Sequence, residues 1–238
     1  MTEDIVGVVG VVGVVGVGRL GRVVARKLCA RHEVLVCDVA EPALRATTEG
    51  AVGRISVASF EAIARRASHV LFCTQARETL ELLRRASALG LAQPLYVSLV
   101  TRLSEREVRE DGEIAPRLRV ASAKLVGQFR AIEAGLPALF VVSEPRHVGA
   151  LELLGCMGSV VVGPEQHVSV VNRTATRAAL EVAGRFLRAM GELDVPAEMA
   201  MAALKNVLVG TLLDHPADSD NDYINSLLRE MAAGSGRR

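Results

Sequence analysis

Hydrophobic residues along this chain follow two rhythms. Short unbroken apolar runs alternate with stretches in which apolar positions recur every three or four residues. The first kind reads as buried strands and the second as helices. Val8–Val15 predicts a strand with a looser lead-in, because its glycines weaken strand structure. Arg19–Ala30 predicts a helix, with Leu20, Val23, Val24 and Leu28 at helical spacing. Glu33–Asp38 is a short apolar strand that ends on an acid. Helices are predicted at Ser59–Ala67, Glu78–Leu89 and Val148–Gly155. Strands are predicted at His69–Thr74, Leu95–Val100, Arg119–Ser122, Ala138–Ser143 and Ser159–Gly163. This alternation predicts βαβ units and a mainly parallel sheet, hence an α/β fold.

The rhythm changes near Pro164. Val168–Ala189 predicts one long helix, and Pro196 opens a second that runs to Leu213 before His215-Pro216 breaks it. Asp218–Asp222 is polar, and Asn221–Ala233 predicts a last short helix. Two domains follow from the change: residues 1–165, α/β, and residues 166–238, all helical.

Composition narrows the picture. Half of the 238 residues are hydrophobic, but aromatics make up only 3% and Trp is absent. The expected core is therefore Val, Leu, Ala and Ile, as suits covered parallel strands. The formal charge is +1 and the basic residues are scattered along the sequence, which argues against a nucleic-acid partner. The apolar run Ile5–Val17 is preceded by Glu3 and Asp4 and is shorter than the ~20 residues of a membrane helix. No membrane association and a cytoplasmic location are expected. Cys29, Cys37, Cys73 and Cys156 lack C-x-x-C spacing and read as small buried hydrophobes, and no metal site is expected.

One frame of the glycine run satisfies G-x-G-x-x-G: Gly16, Gly18 and Gly21. It follows a predicted strand, opens a predicted helix, and lies upstream of Asp38 at the end of the next strand. Gly16 would permit the tight turn, Gly18 the approach of a pyrophosphate, and Gly21 close packing of helix on strand. The helix N-terminus would present free N–H groups to the phosphates. Asp38 would accept hydrogen bonds from a ribose and repel a 2′-phosphate, so NAD is favoured. Arg45 just beyond keeps NADP open as the alternative.

Several later segments carry a family resemblance. Ser68–Gln75 looks like an apolar strand and loop ending in Val-Lys-Pro-Gln, and Leu95–Val100 like a Val-Ile-Ser-Ile-Ala-Ala strand. Leu125-Val126-Gly127, the helical stretch Phe186–Gly210 with Asp194-Val195-Pro196, and His215-Pro216-Ala217 also have counterparts. Together they resemble the pyrroline-5-carboxylate reductase family, within the 6-phosphogluconate dehydrogenase-like superfamily. The resemblance implies a Rossmann domain followed by a helical dimerisation domain. It also implies hydride transfer from a reduced nicotinamide to a cyclic imine, with subunits interlocked through their C-terminal helices. It puts cofactor contacts on Gly16, Gly18, Arg19, Leu20, Gly21, Asp38, Thr74 and Gln75. The family's Met-Pro-Asn-Thr-Pro is replaced by Ala121-Ser122-Ala123-Lys124, and its Ser-Gly-Ser-Gly-Pro-Ala-Tyr by Val171–Thr176. Its substrate-carboxylate loop is replaced by Asp220–Ser226, whose Asp220 and Asp222 would not welcome a carboxylate. An altered substrate, and not proline synthesis, is therefore expected.

Reduction of a C=N or C=O bond needs a pocket and a proton donor beside the cofactor. Lys124 stands where the family leads into its site. Lys205, in Ala-Leu-Lys-Asn, resembles the catalytic lysine of glycerol-3-phosphate dehydrogenases, and Thr174 opens the helical domain. Each also has a plainer reading, as a solvated lysine or an ordinary helix threonine. Leu180, Phe186, Leu187, Met199, Met201, Leu204, Val207 and Leu208 offer more apolar surface than a helix hairpin buries, which predicts a homodimer. Two functional expectations stand: an NAD(P)-dependent reductase, or a non-catalytic dinucleotide-binding or partner-binding module.

Overall fold

The computed structural model describes residues 10–51, 54–213 and 222–235. The elements of the α/β part, in chain order, are β1 (Val11–Val15), α1 (Arg19–Leu28), β2 (Glu33–Cys37), α2 (Glu41–Thr48), β3 (Ile55–Val57), α3 (Phe60–Arg66), β4 (His69–Phe72), α4 (Ala76–Ala88), β5 (Leu95–Ser98), α5 (Glu105–Glu110) and β6 (Val120–Ser122). They continue with β7 (Lys124–Val126), α6 (Phe129–Glu133), β8 (Ala138–Val142), α7 (Arg146–Ala150) and β9 (Gly158–Val162). Among the described residues there follow α8 (Gln166–Glu192), α9 (Ala197–Ala203), a π-helical turn at Leu204–Leu208, α10 (Val209–Leu213) and α11 (Asp222–Ser235).

The first six strands form one parallel sheet in the order β3-β2-β1-β4-β5-β6, and the last three form a second sheet in the order β7-β8-β9. The α/β expectation holds, with one refinement. The chain closes its parallel sheet at β6, and β7 runs antiparallel to β8. Predicted strands and helices up to β5 lie within a few residues of the observed ones. The short elements α2, β3, α5, β7 and α6 carry too few periodic positions to be read from pattern alone.

Why these runs become strands is visible in their two faces. Val12 and Val14 face one core with Val34, Val36, Leu71 and Val97. Val15 faces the other with Leu35, Val70, Phe72 and Tyr96. Alternate residues of a strand point to opposite faces, so a strand covered on both sides reads as a continuous apolar run. Gly13 in the middle of β1 has a packing reason, because a Cβ there would lie 2.1 Å from Ile63 Cγ2 of α3. The few aromatic residues are not spread evenly. Phe60, Phe72, Tyr96 and Phe140 are buried, so the core holds aromatics as well as the expected aliphatic residues. Tyr96 is wholly buried because its hydroxyl donates to the Leu91 carbonyl at 2.5 Å. Three cysteines depart from expectation, since Cys29 and Cys37 are only half-buried and Cys156 is exposed.

The chain divides into two compact units between Arg173 and Thr174, inside α8. Within the second unit, Leu180, Met199, Val207 and Met231 are each more than 60% exposed. Among the described residues, no helix is long and apolar enough to cross a membrane, and no cluster of His, Cys, Asp or Glu could hold a metal ion. The lead-in before Gly10, His215-Pro216 and the Asp220-Asn221 pair lie outside the described residues.

Candidate dinucleotide site

In a doubly wound sheet, ligands bind beyond the carboxyl ends of the strands where the strand order reverses. Here that point lies between β1 and β4, which are hydrogen-bonded neighbours. The chain leaves β1 at Gly16 and leaves β4 at Cys73-Thr74. Gly16 has φ +82°, a left-handed conformation that disfavours other residues. A Cβ on Gly16 would meet Thr74 Cγ2 at 2.6 Å, so the two strand ends could not approach with a larger residue. Gly21 is more tightly constrained, since its Cβ would lie 1.9 Å from the Gly16 carbonyl oxygen. Gly18 differs from both. It is exposed, and a Cβ there would meet nothing within 4 Å. Its use is to leave space, which is what a pyrophosphate needs above the first turn of α1. That helix begins with no side-chain cap and no acid in its first turn. Its N-terminus therefore offers a positive dipole end to an anion.

Asp38 directly follows β2 and holds the turn. Its Oδ2 accepts the Val17 N–H at 2.7 Å and its Oδ1 accepts the Ala40 N–H at 2.8 Å. A carboxylate has about four lone-pair positions, so capacity for ribose hydroxyls remains. Thr74 and Gln75 enter α4. The Thr74 hydroxyl pairs with Thr79 Oγ1 at 2.8 Å, and Gln75 caps the helix in a reciprocal box with Glu78.

These groups border one cavity of about 590 Å³, lined by Gly16, Gly18, Asp38, Thr74 and Gln75 among others. Of the expected cofactor residues, Arg19, Leu20 and Gly21 do not line it. Leu20 packs on the core and the Arg19 guanidinium stacks on the Phe129 ring at 5.4 Å. Val39, Glu78, Glu81, Leu82 and Arg85, which sequence reading missed, also line it. Glu78 and Leu82 are four residues apart on α4, so the helical spacing that predicted α4 also placed both on one face. Arg85 is held by Glu61 at 2.6 Å, and Arg45 pairs with Glu41 at 3.1 Å within α2. Burial pushes the Cys73 thiol up to about 12, so it stays protonated behind the glycine turn.

Of the candidate proton donors, Lys124 belongs to the same unit as this cavity and does not line it. Lys124 is 2% exposed, and its ammonium donates to the Val100 carbonyl at 2.5 Å and to the Leu103 carbonyl. Glu165 Oε2 lies 4.0 Å away. Burial lowers the Lys124 pKa to about 8, against the raising effect of Glu165 and Glu107. The residue ties β7 to the turn after β5; the role expected from sequence was anion binding or proton donation. Thr174 and Lys205 are exposed in the second unit. Lys205 borders a shallow hollow with Met201 and Glu198.

The fold is shared with NAD(P)-dependent dehydrogenases and reductases. A pyrroline-5-carboxylate reductase from Coxiella burnetii superposes with a TM-score of 0.71 at 11% identity, over 94% of this chain and 84% of that one. A Plasmodium falciparum pyrroline carboxylate reductase with NADP bound gives 0.68 at 10% identity, over 93% and 83%. A 3-hydroxyacyl-CoA dehydrogenase from Archaeoglobus fulgidus gives 0.54 at 24% identity, over 82% and 68%. No sequence family and no curated protein matches the chain.

Proposed function

We propose that this chain is an NAD(P)-linked reductase of a C=N or C=O bond in a small substrate, similar to pyrroline-5-carboxylate reductases but with a different substrate. The observation that carries the reading is the open space above Gly18 at the strand-order switch, beside the uncapped start of α1 and the Asp38 carboxylate. Bound there, the dinucleotide supplies the hydride. Gly16 and Gly18 admit its pyrophosphate, and α1 stabilises the negative charge. Asp38 accepts from the adenosine ribose, while Val39 and Leu82 offer apolar contact to the base. Thr74 and Gln75 line the path toward the nicotinamide.

NAD is favoured over NADP. Asp38, Glu78 and Glu81 border the cavity, and Arg45, the cation that would suit a 2′-phosphate, is paired with Glu41. The exposed apolar side chains of the second unit support a homodimer through the C-terminal helices. A second reading, a dinucleotide-binding module without catalysis, is favoured by one observation: the Lys124 ammonium is spent on backbone carbonyls.

Titration with NADH and NADPH, followed by a panel of cyclic imines and keto acids, separates the readings. Cofactor binding with substrate-dependent oxidation is expected. Binding without turnover on any of the panel would leave the module reading, and failure to bind either cofactor would remove both.

A further inference from the structure

The opposite pole of the parallel sheet carries a second cavity, of about 310 Å³, at the N-terminal ends of β5 and β6. It has no lining residue in common with the dinucleotide cavity. Arg109, Arg117, Arg119, Arg146 and His147 border it, drawn from α5, the lead into β6, and α7. The basic residues are scattered in the sequence, but the fold gathers these five.

Their charges are not evenly compensated. Glu105, 4% exposed, braces Arg109 through Oε1 with bonds of 2.9 and 2.6 Å. Its Oε2 lies 3.5 Å from Nδ1 of the buried His147. Arg109 also donates to the Val120 carbonyl at 3.2 Å, which fixes its guanidinium against the cavity wall. Arg146 pairs with Glu144 at 2.6 Å. Arg117 and Arg119 have no carboxylate within salt-bridge distance among the described residues. Arginines without a carboxylate partner along one concave wall concentrate positive potential there. A bound oxyanion would neutralise that potential and satisfy the planar donor forks, which match phosphoryl and carboxylate geometry.

We propose that this cavity is a binding site for a small oxyanion of two or more negative charges, phosphoryl or polycarboxylate, held by Arg117 and Arg119. Arg109, braced by Glu105, completes the wall. The volume suits a small free metabolite, at the lower end of the ~300–1,000 Å³ of ligand pockets.

Calorimetric titration with inorganic pyrophosphate and with citrate tests this. The expected result is saturable binding of at least one of them to the wild type, which also tells phosphoryl from polycarboxylate preference. The Arg117→Ala/Arg119→Ala double variant should bind it at least about tenfold more weakly, near 1.4 kcal/mol. Both positions are exposed, and circular dichroism confirms that the variant folds. Arg65→Ala, an exposed arginine of α3, should leave the affinity unchanged. Gly18→Asp, which blocks the pyrophosphate position of the other cavity, should also leave it unchanged. Equal affinity in the double variant, loss of affinity in Gly18→Asp, or binding of neither anion at low millimolar concentration would each overturn the proposal.

Discussion

The Asp38 carboxylate and the Val17 backbone are joined across 21 residues by a 2.7 Å hydrogen bond. The acid that follows β2 thus supports the glycine turn that ends β1, besides facing the cavity. Asp38→Ala is expected to destabilise the fold by about 1–3 kcal/mol, because the Val17 N–H loses its acceptor. It should also weaken NADH binding. Asp38→Ser should narrow the gap between NADH and NADPH affinities. Urea denaturation and cofactor titration measure the two effects separately, and an unchanged NADH:NADPH ratio would remove the ribose role.

Gly18 and Gly21 should respond in opposite ways. Gly21→Ala places a methyl group 1.9 Å from the Gly16 carbonyl and forces α1 away from β1. A loss of about 1–3 kcal/mol or more is expected, seen as a lowered Tm. Gly18→Asp meets open space, so stability should barely change while cofactor affinity falls by like-charge repulsion. Equal thermal losses in the two variants would contradict the geometry.

Gly13 and Ile63 should be energetically coupled. Gly13→Ala alone is expected to cost about 1–3 kcal/mol by overpacking against Ile63. Ile63→Ala alone should cost about 2–5 kcal/mol through its cavity. The double variant should lose less than the sum, with a coupling of about 0.5–3 kcal/mol in a double-mutant cycle. Simple additivity would show that the close approach does not constrain β1.

Lys124 should leave a signature in the pH dependence of stability. Its folded pKa of about 8 lies below the ordinary lysine value of 10.5. Between these values the unfolded state binds more protons at this site, so stability contributed by this group rises with pH. The slope is at most about 1.4 kcal/mol per pH unit. Lys124→Met should flatten stability against pH over that window. A variant profile parallel to wild type would show that Lys124 does not titrate there.

The second unit should carry the dimer contact. Leu180→Arg with Val207→Asp replaces exposed apolar side chains on α8 and on the segment before α10. Sedimentation is expected to show a dimer for wild type and a monomer for the variant. A wild-type monomer would refute the interface.

Much of the α/β half was legible because its signals are local. Val12, Val14 and Val15 announce a strand covered on both faces, and Gly16, Gly18, Gly21 and Asp38 sit at spacings set by one βαβ unit. The cavity wall on α4 was less legible, since Glu78, Glu81 and Arg85 look like any solvated helix face until α4 is docked beside Asp38.

The sequence by itself determined the longer strands and helices, the glycine turn and its acid, because periodicity and backbone freedom belong to neighbouring residues. Tertiary structure decided what those residues touch. It buried Lys124 against carbonyls, turned Asp38 onto Val17, and drew Arg109, Arg117, Arg119 and Arg146 around one cavity. Such contacts arise from chain crossings between residues far apart in sequence. No local pattern encodes the distance at which two distant side chains meet.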